Sequence, residues 1–226
     1  MQEIDETQES VSLDQYINNI ESELNEILMD PNASGYDSLM EQDIAYGVSF
    51  TIGINTTSDV VLDVGCGLGE FYYYVERFTN EKIYKYYGID NIEEYLDINK
   101  FRSNQDDTVN LMNFDINDFE DGFNGYADDA LRNLSILGNI NDNIDWVVMC
   151  NVINEDFNTS QIINKIKFWS KVPEKGAVFT FKLDSQQKLA DVASAIVLDD
   201  VLNSKTIIRS DFYKNWISVY VYNSRV

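Results

Sequence analysis

The string Val61-Leu62-Asp63-Val64-Gly65-Cys66-Gly67-Leu68-Gly69 has the residue types and spacing that point most directly to ligand chemistry in this chain. An apolar run enters three glycines at alternate positions. Glycine lets the backbone turn tightly and lets a ligand approach with no Cβ in the way. With a strand before the loop and a helix after it, the helix's free N–H groups face the same spot and favour an anion. Asp90 closes the run Tyr86-Tyr87-Gly88-Ile89-Asp90, 90 − 69 = 21 residues beyond Gly69, which leaves room for one helix and one strand. A carboxylate at such a strand end can accept both hydroxyls of a ribose; its plainer use is to cap the next helix. Asn113-Phe114-Asp115-Ile116 places a further acid at the end of a third run, where Asp also serves turns. A fourth apolar run, Asp145 to Asn151, leads to Asn154.

Those residues need a scaffold, and the periodicity supplies one. Strand-like runs at 60–64, 86–90, 109–116, 145–151 and 177–183 alternate with helix-like segments at 71–78, 92–101, 160–169 and 186–197. A polar stretch at 118–143 holds a further helical segment near 127–137. Such alternation builds a parallel sheet with helices on both faces. Runs at 206–208 and 216–222, with no helix between them, predict an antiparallel hairpin at one edge. The fold class is α/β: a doubly wound, mostly parallel seven-stranded sheet with that C-terminal hairpin, plus N-terminal helices. Residues 1–11 read as a disordered acidic tail. Residues 12–50 read as a helical segment: an amphipathic helix at 13–28, capped by Ser12 and stopped by Asp30-Pro31, then a shorter one at 38–50. Residues 51–226 read as the ligand-binding domain. In open α/β sheets, ligands sit at the carboxyl ends of the strands, where the strand order reverses.

The glycine spacing separates families. Dinucleotide-binding loops carry G-x-G-x-x-G, and phosphate-binding P-loops end in Lys-Ser or Lys-Thr. Here the pattern is G-x-G-x-G followed by Glu70, with neither feature. Asp63-Val64-Gly65-Cys66-Gly67-Leu68-Gly69 instead resembles motif I of class I S-adenosylmethionine-dependent methyltransferases, and the resemblance extends over roughly residues 44–222. It implies that Asp63, Gly65, Cys66, Gly67 and Gly69 cradle the methionine part of S-adenosylmethionine. It implies that Asp90 and Asn91 hold the ribose, that Ile92 packs on the adenine ring, and that Asp115 or Ile116 meets the adenine amino group. It also implies that Asn151, after the fourth strand, faces the reacting methyl group.

The acceptor is far less legible. Methyltransferases acting on DNA bases carry Asn/Asp-Pro-Pro-aromatic after the fourth strand, and this segment has no proline. It resembles the small-molecule branch, in which a His often follows; Asn154 stands near that place, and the acceptor expected is a small molecule or, as the alternative, a protein side chain. The catalytic residues are unassigned, with Asn151, Asn154 and Tyr46 as candidates. The N-terminal helices either fold over the carboxyl edge as a lid, bringing Tyr46 and Phe50 over the cofactor, or simply cover a sheet face. Cys66 and Cys150 end neighbouring strands and are expected near each other, most simply as inert filling. Two rivals are kept: a nicotinamide-dependent oxidoreductase, and a non-catalytic cofactor- or partner-binding module of the same fold.

Composition sets the outer limits. The net charge of −23 repels phosphate backbones, and Lys82, Lys85, Lys100 and Arg102 are scattered among acids, so no nucleic-acid partner is expected. That charge suits solubility, and it also suits a cationic acceptor. With no His, an imidazole base or His metal site is excluded, and no metal is expected. Two cysteines suit a reducing compartment, and the polar N-terminus does not read as a secretory signal, so a cytoplasmic protein is expected. No run approaches the ~20 apolar residues of a membrane span.

Overall fold

Val60–Val64 is buried at every position, as is Trp146–Cys150. Strands of that kind belong in the middle of a sheet covered on both faces. In the computed structural model they lie side by side at its centre. The structure describes residues 30–103, 106–113, 115–116, 140, 142–154, 156–202, 205–209, 213 and 215–223. The expected acidic tail at 1–11, the helix at 13–28 and the helix near 127–137 lie outside the described residues.

A 3-10 turn at Pro31–Ser34 leads into α1 (Leu39–Phe50). Then follow β1 (Val60–Val64), α2 (Glu70–Thr79), β2 (Lys85–Asp90), α3 (Glu93–Ser103), β3 (Val109–Asn113) and β4 (Trp146–Cys150). The chain continues through α4 (Thr159–Trp169), β5 (Gly176–Lys182), α5 (Gln186–Leu198), β6 (Thr206–Arg209) and β7 (Trp216–Tyr222). The sheet has seven strands in the order β3-β2-β1-β4-β5-β7-β6. The first five are parallel, and β7 runs antiparallel to both β5 and β6. The predicted edge hairpin is there, with β7 as its inner strand. The third strand stops at Asn113, before the expected Ile116, so Asp115 and Ile116 stand free of the ladder.

Side chains alternate across the sheet and divide the core into two layers. Leu62, Val64, Tyr87, Val147, Met149 and Phe179 face α4 and α5, whose Ile162, Ile166, Trp169, Val192 and Ile196 cover them. Val61, Tyr86, Trp146, Val148 and Val178 face Ala45 and Tyr46 of α1, Phe71, Tyr72 and Val75 of α2, and Leu96 of α3. The N-terminal segment therefore supplies a helix to one face of the sheet. Ser38 caps α1, its Oγ accepting from the Glu41 N–H at 3.2 Å.

Glu41 fixes the front of α1. Its carboxylate is 2% exposed, accepts from Trp216 Nε1 at 2.8 Å and from the Asp37 N–H at 2.7 Å, and faces Lys182 Nζ at 3.3 Å. A buried carboxylate is tolerated only with such partners. Together they tie residues 36–41 to the ends of β5 and β7.

Candidate functional site

The order of the parallel strands reverses between β1 and β4, and a cavity of about 380 Å³ opens at that switch point. Its floor is the glycine loop. The N–H groups of Gly65 and Cys66 both donate to the Ile89 carbonyl, at 2.8 and 3.0 Å, which splices the loop to β2. Gly65 has φ +73°, and a Cβ built there lies 2.2 Å from Val152 Cγ2. A side chain at this position would meet both backbone strain and a clash. Gly67 has nothing within 4 Å of where its Cβ would stand, so this part of the loop is open to a ligand.

Asp90 ties the loop to the next helix. Its Oδ2 accepts from the Gly67 N–H at 2.8 Å and its Oδ1 from the Ile92 N–H at 2.9 Å. Asp90 thus braces the glycine loop against the turn that leads into α3, and each carboxylate oxygen has capacity for a further hydrogen bond. Asn91, Ile92, Asp115 and Ile116 line the same end of the cavity.

The opposite end is lined by Tyr36, Tyr46, Cys150 and Asn151, with Val152, Asn154 and Phe157 beside them. Asn151 stands in the left-handed region at φ +59°, and its Nδ2 donates to the Gly35 carbonyl at 2.9 Å. Here the chain leaves β4 and meets the N-terminal segment. A second, wider cavity of about 580 Å³ shares Asn151 and Asn154 and adds Gly35, Asp37, Asp156, Lys182 and Asp184.

Most expected site residues therefore meet in one place: Tyr46, Gly65, Cys66, Gly67, Asp90, Asn91, Ile92, Asp115, Ile116, Asn151 and Asn154 all line the first cavity. Asp63 and Gly69 do not. Gly69 caps α2 with φ +76° and packs against Asn99. Asp63 is 2% exposed and accepts from the Tyr86 hydroxyl at 2.6 Å. Burial pushes its carboxyl up to about 7, the Tyr86 bond pulls it down, and the charge of Asp90 raises it. Phe50 also falls elsewhere: it packs edge-on to Phe78 at 6.3 Å. Four residues on from Tyr46 is about 6 Å along the helix, enough to carry Phe50 past the cavity. Tyr36, Tyr95, Val152 and Phe157 line the cavity without any signal in the sequence.

The lining is acidic and poor in bases. Among the described residues no Lys or Arg lines this cavity. Burial pushes the phenols of Tyr36 and Tyr46 and the thiols of Cys66 and Cys150 upward, so all four stay protonated near neutrality. Cys150 Sγ lies 3.1 Å from Ser49 Oγ in a buried chain that continues to Thr180 and Ser218. It is not an activated nucleophile.

A family model described as a methyltransferase domain matches residues 55–208. The chain belongs to the class I S-adenosylmethionine-dependent methyltransferases. The nicotinamide reading is thereby set aside. Several solved structures resemble the methyltransferase at low identity. Magnesium protoporphyrin IX methyltransferase from Synechocystis, solved with S-adenosylhomocysteine, is 14% identical over 92% of this chain and 97% of that one, with a TM-score of 0.49. A methyltransferase from Aquifex aeolicus is 15% identical over 89% of this chain and 97% of that one, at 0.48. A chain of the Pnkp1/Rnl/Hen1 RNA repair complex is 14% identical over 80% of this chain and 41% of that one, at 0.51, a likeness of fold alone. No curated protein matches the sequence.

The methyltransferase's cofactor is S-adenosylmethionine, and the cavity fits it on two counts. The loop is open above Gly67, and Asp90, whose oxygens each accept one backbone N–H, lines the cavity wall. Among the described residues, no helix is long and apolar enough to cross a membrane.

Proposed function

We propose that this methyltransferase acts on a small molecule, and that the first cavity holds the cofactor in one orientation. Asp90 takes the ribose hydroxyls, with Asn91 beside it. Ile92, 40% exposed, covers the adenine ring, and Asp115 or Ile116 meets its amino group. Gly65, Cys66 and Gly67 line the methionine portion, while Asp63 and Gly69 support the loop from behind. Asn151 lies at the methyl end, with Tyr46 and Asn154 nearby. The cofactor brings a methyl group already activated on a sulfonium. The protein's share is to bind, orient and shield, and positioning of this kind contributes on the order of 7–11 kcal/mol.

The observation that carries the small-molecule reading is the charge of the surroundings. The first cavity has Asp90 and Asp115 and no described cation; the second has Asp37, Asp156 and Asp184 against Lys182 alone. A nucleic-acid acceptor would bring phosphates into that field, on a chain of net charge −23. The test is release of S-adenosylhomocysteine from S-adenosylmethionine, with pooled small metabolites, with total RNA and with a peptide library as separate acceptor pools. Turnover confined to the metabolite pool is expected. Turnover only with RNA or with peptides overturns the reading.

A further inference from the structure

The second cavity, about 580 Å³, lies outside the placement proposed for the cofactor. It meets the first at Asn151 and Asn154, which line both. The partition between the two is thin. Of three consecutive residues, Gly35 and Asp37 line the second cavity and Tyr36 lines the first. The Gly35 carbonyl is pinned to Asn151 Nδ2 at 2.9 Å. A molecule seated in the second cavity therefore shares a wall with the end of the first proposed for the methyl group.

The lining says which molecule. Leu183 is the one apolar side chain in it and is 1% exposed, so an aromatic or alkyl acceptor has little to pack against. Lys182 does not make the cavity an anion site. Its ammonium lies 2.5 Å from Asp37 Oδ2 and 3.3 Å from Glu41 Oε1, two carboxylates for one cation. The charge left over is negative. Asp184 faces Lys188 at 3.9 Å, beyond hydrogen-bond reach, and among the described residues no Lys or Arg pairs with Asp156. With anions and apolar groups disfavoured, a small cation is the ligand this lining suits, on a chain whose net charge of −23 draws cations toward it.

Resting on the small-molecule function proposed above, we propose that the second cavity binds the methyl acceptor, and that this acceptor is a hydrophilic amine held there as a cation through Asp156 and Asp184. Its ammonium end stays with the carboxylates, and its other end passes Asn151 and Asn154 toward the cofactor. The atom that takes the methyl group is at that other end, because an ammonium has no lone pair. The lone pair of that atom forms the bond to the methyl carbon as the carbon–sulfur bond breaks with its pair on sulfur, and the proton the atom carried passes to water.

The test uses the full chain loaded with S-adenosylhomocysteine. The probe is 1,4-diaminobutane, against butane-1,4-diol, which has the same carbon chain without charge. Saturation-transfer NMR at low salt should favour the diamine by roughly fivefold. Interligand Overhauser effects should link its methylene protons to those of the homocysteine chain. The double variant Asp156→Asn/Asp184→Asn should lose the preference, with S-adenosylhomocysteine affinity by calorimetry within about twofold of wild type. The control Glu174→Gln/Asp191→Asn removes the same charge from exposed positions outside both cavities and should keep it. Absence of the preference or of the Overhauser link in wild type, survival of the preference in the cavity variant, or its equal loss in the control overturns the assignment while leaving methyl transfer intact. Turnover with lysine peptides and not with free diamines overturns both the assignment and the small-molecule reading. Failure of wild type to bind S-adenosylhomocysteine at all overturns the function beneath them.

Discussion

The two ends of the cofactor cavity are built in opposite ways. At the end proposed for adenosine the lining comes in contiguous strings, Asp90 to Ile92 and Asp115 with Ile116, which end or follow the parallel strands β2 and β3, and the glycine loop Gly65 to Gly67 continues it after β1. At the end proposed for the methyl group a string at the end of β4, Cys150 to Val152, meets single residues from the N-terminal segment, Tyr36 before α1 and Tyr46 within it. The first end is set by local backbone geometry, and the second by how α1 packs against β5 and β7. A fold that binds one cofactor can keep the first end constant and remake the second for each acceptor.

The comparison breaks most readily at the glycine loop. Gly65→Ala forces a Cβ to within 2.2 Å of Val152 at φ +73°. We expect a stability loss of about 1–3 kcal/mol from the backbone strain, and roughly 100-fold weaker S-adenosylhomocysteine binding. Thermal melts and calorimetry measure the two, and wild-type values for both would show that the loop does not hold the cofactor.

Asp90→Ala comes next. It removes the acceptor for the Gly67 and Ile92 N–H groups and for the proposed ribose contact. Affinity for S-adenosylhomocysteine should fall by about 1–3 kcal/mol, and calorimetry showing no loss removes Asp90 from the site.

Asp63→Asn sharpens the contrast, because Asp63 supports the loop without lining the cavity. We expect affinity at neutral pH to change by less than about threefold. Its signature is pH dependence. The folded protein keeps the Asp63 proton up to about 7, whereas the unfolded chain releases it near 3.8. Between those values the folded state binds more protons, so this contribution to stability is present at low pH and is lost as pH rises toward 7. The melting temperature of Asp63→Asn should therefore fall less than that of wild type between pH 5 and pH 7.5, a range in which ordinary carboxylates stay mostly ionised. Parallel curves would place the titration elsewhere.

Asn151→Gly should have the smallest effect on the cofactor. Glycine keeps the left-handed backbone at φ +59°, and the side-chain bond to the Gly35 carbonyl is lost. A stability cost of about 0.5–1.5 kcal/mol is expected, with S-adenosylhomocysteine affinity within about twofold. A large loss of affinity would move Asn151 from the acceptor end into the cofactor contacts.

Much of this molecule is written locally. The alternation of strands and helices is an apolar periodicity of about two and about 3.6 residues, and it yields a parallel sheet with helices on both faces. The glycine loop and Asp90 are legible for the same reason: their roles depend on backbone angles and on spacing along one βαβ unit. The sequence also shows Asp63 beside the loop, but only the sheet decides which way it points. Strand alternation puts it on the face of Val61, against Tyr86 and under the helices, where it is buried rather than offered to the cofactor. Tyr36 is the clearest case on the other side. Nothing in Gly35-Tyr36-Asp37 marks a site, because its position depends on Glu41, Trp216 and Tyr46. Trp216 is 180 residues away in the chain, 216 − 36 = 180. Contacts across such separations leave no local period or spacing, so the sequence by itself determined the fold and the cofactor, and only the tertiary packing decided which side chains close the far end of the cavity.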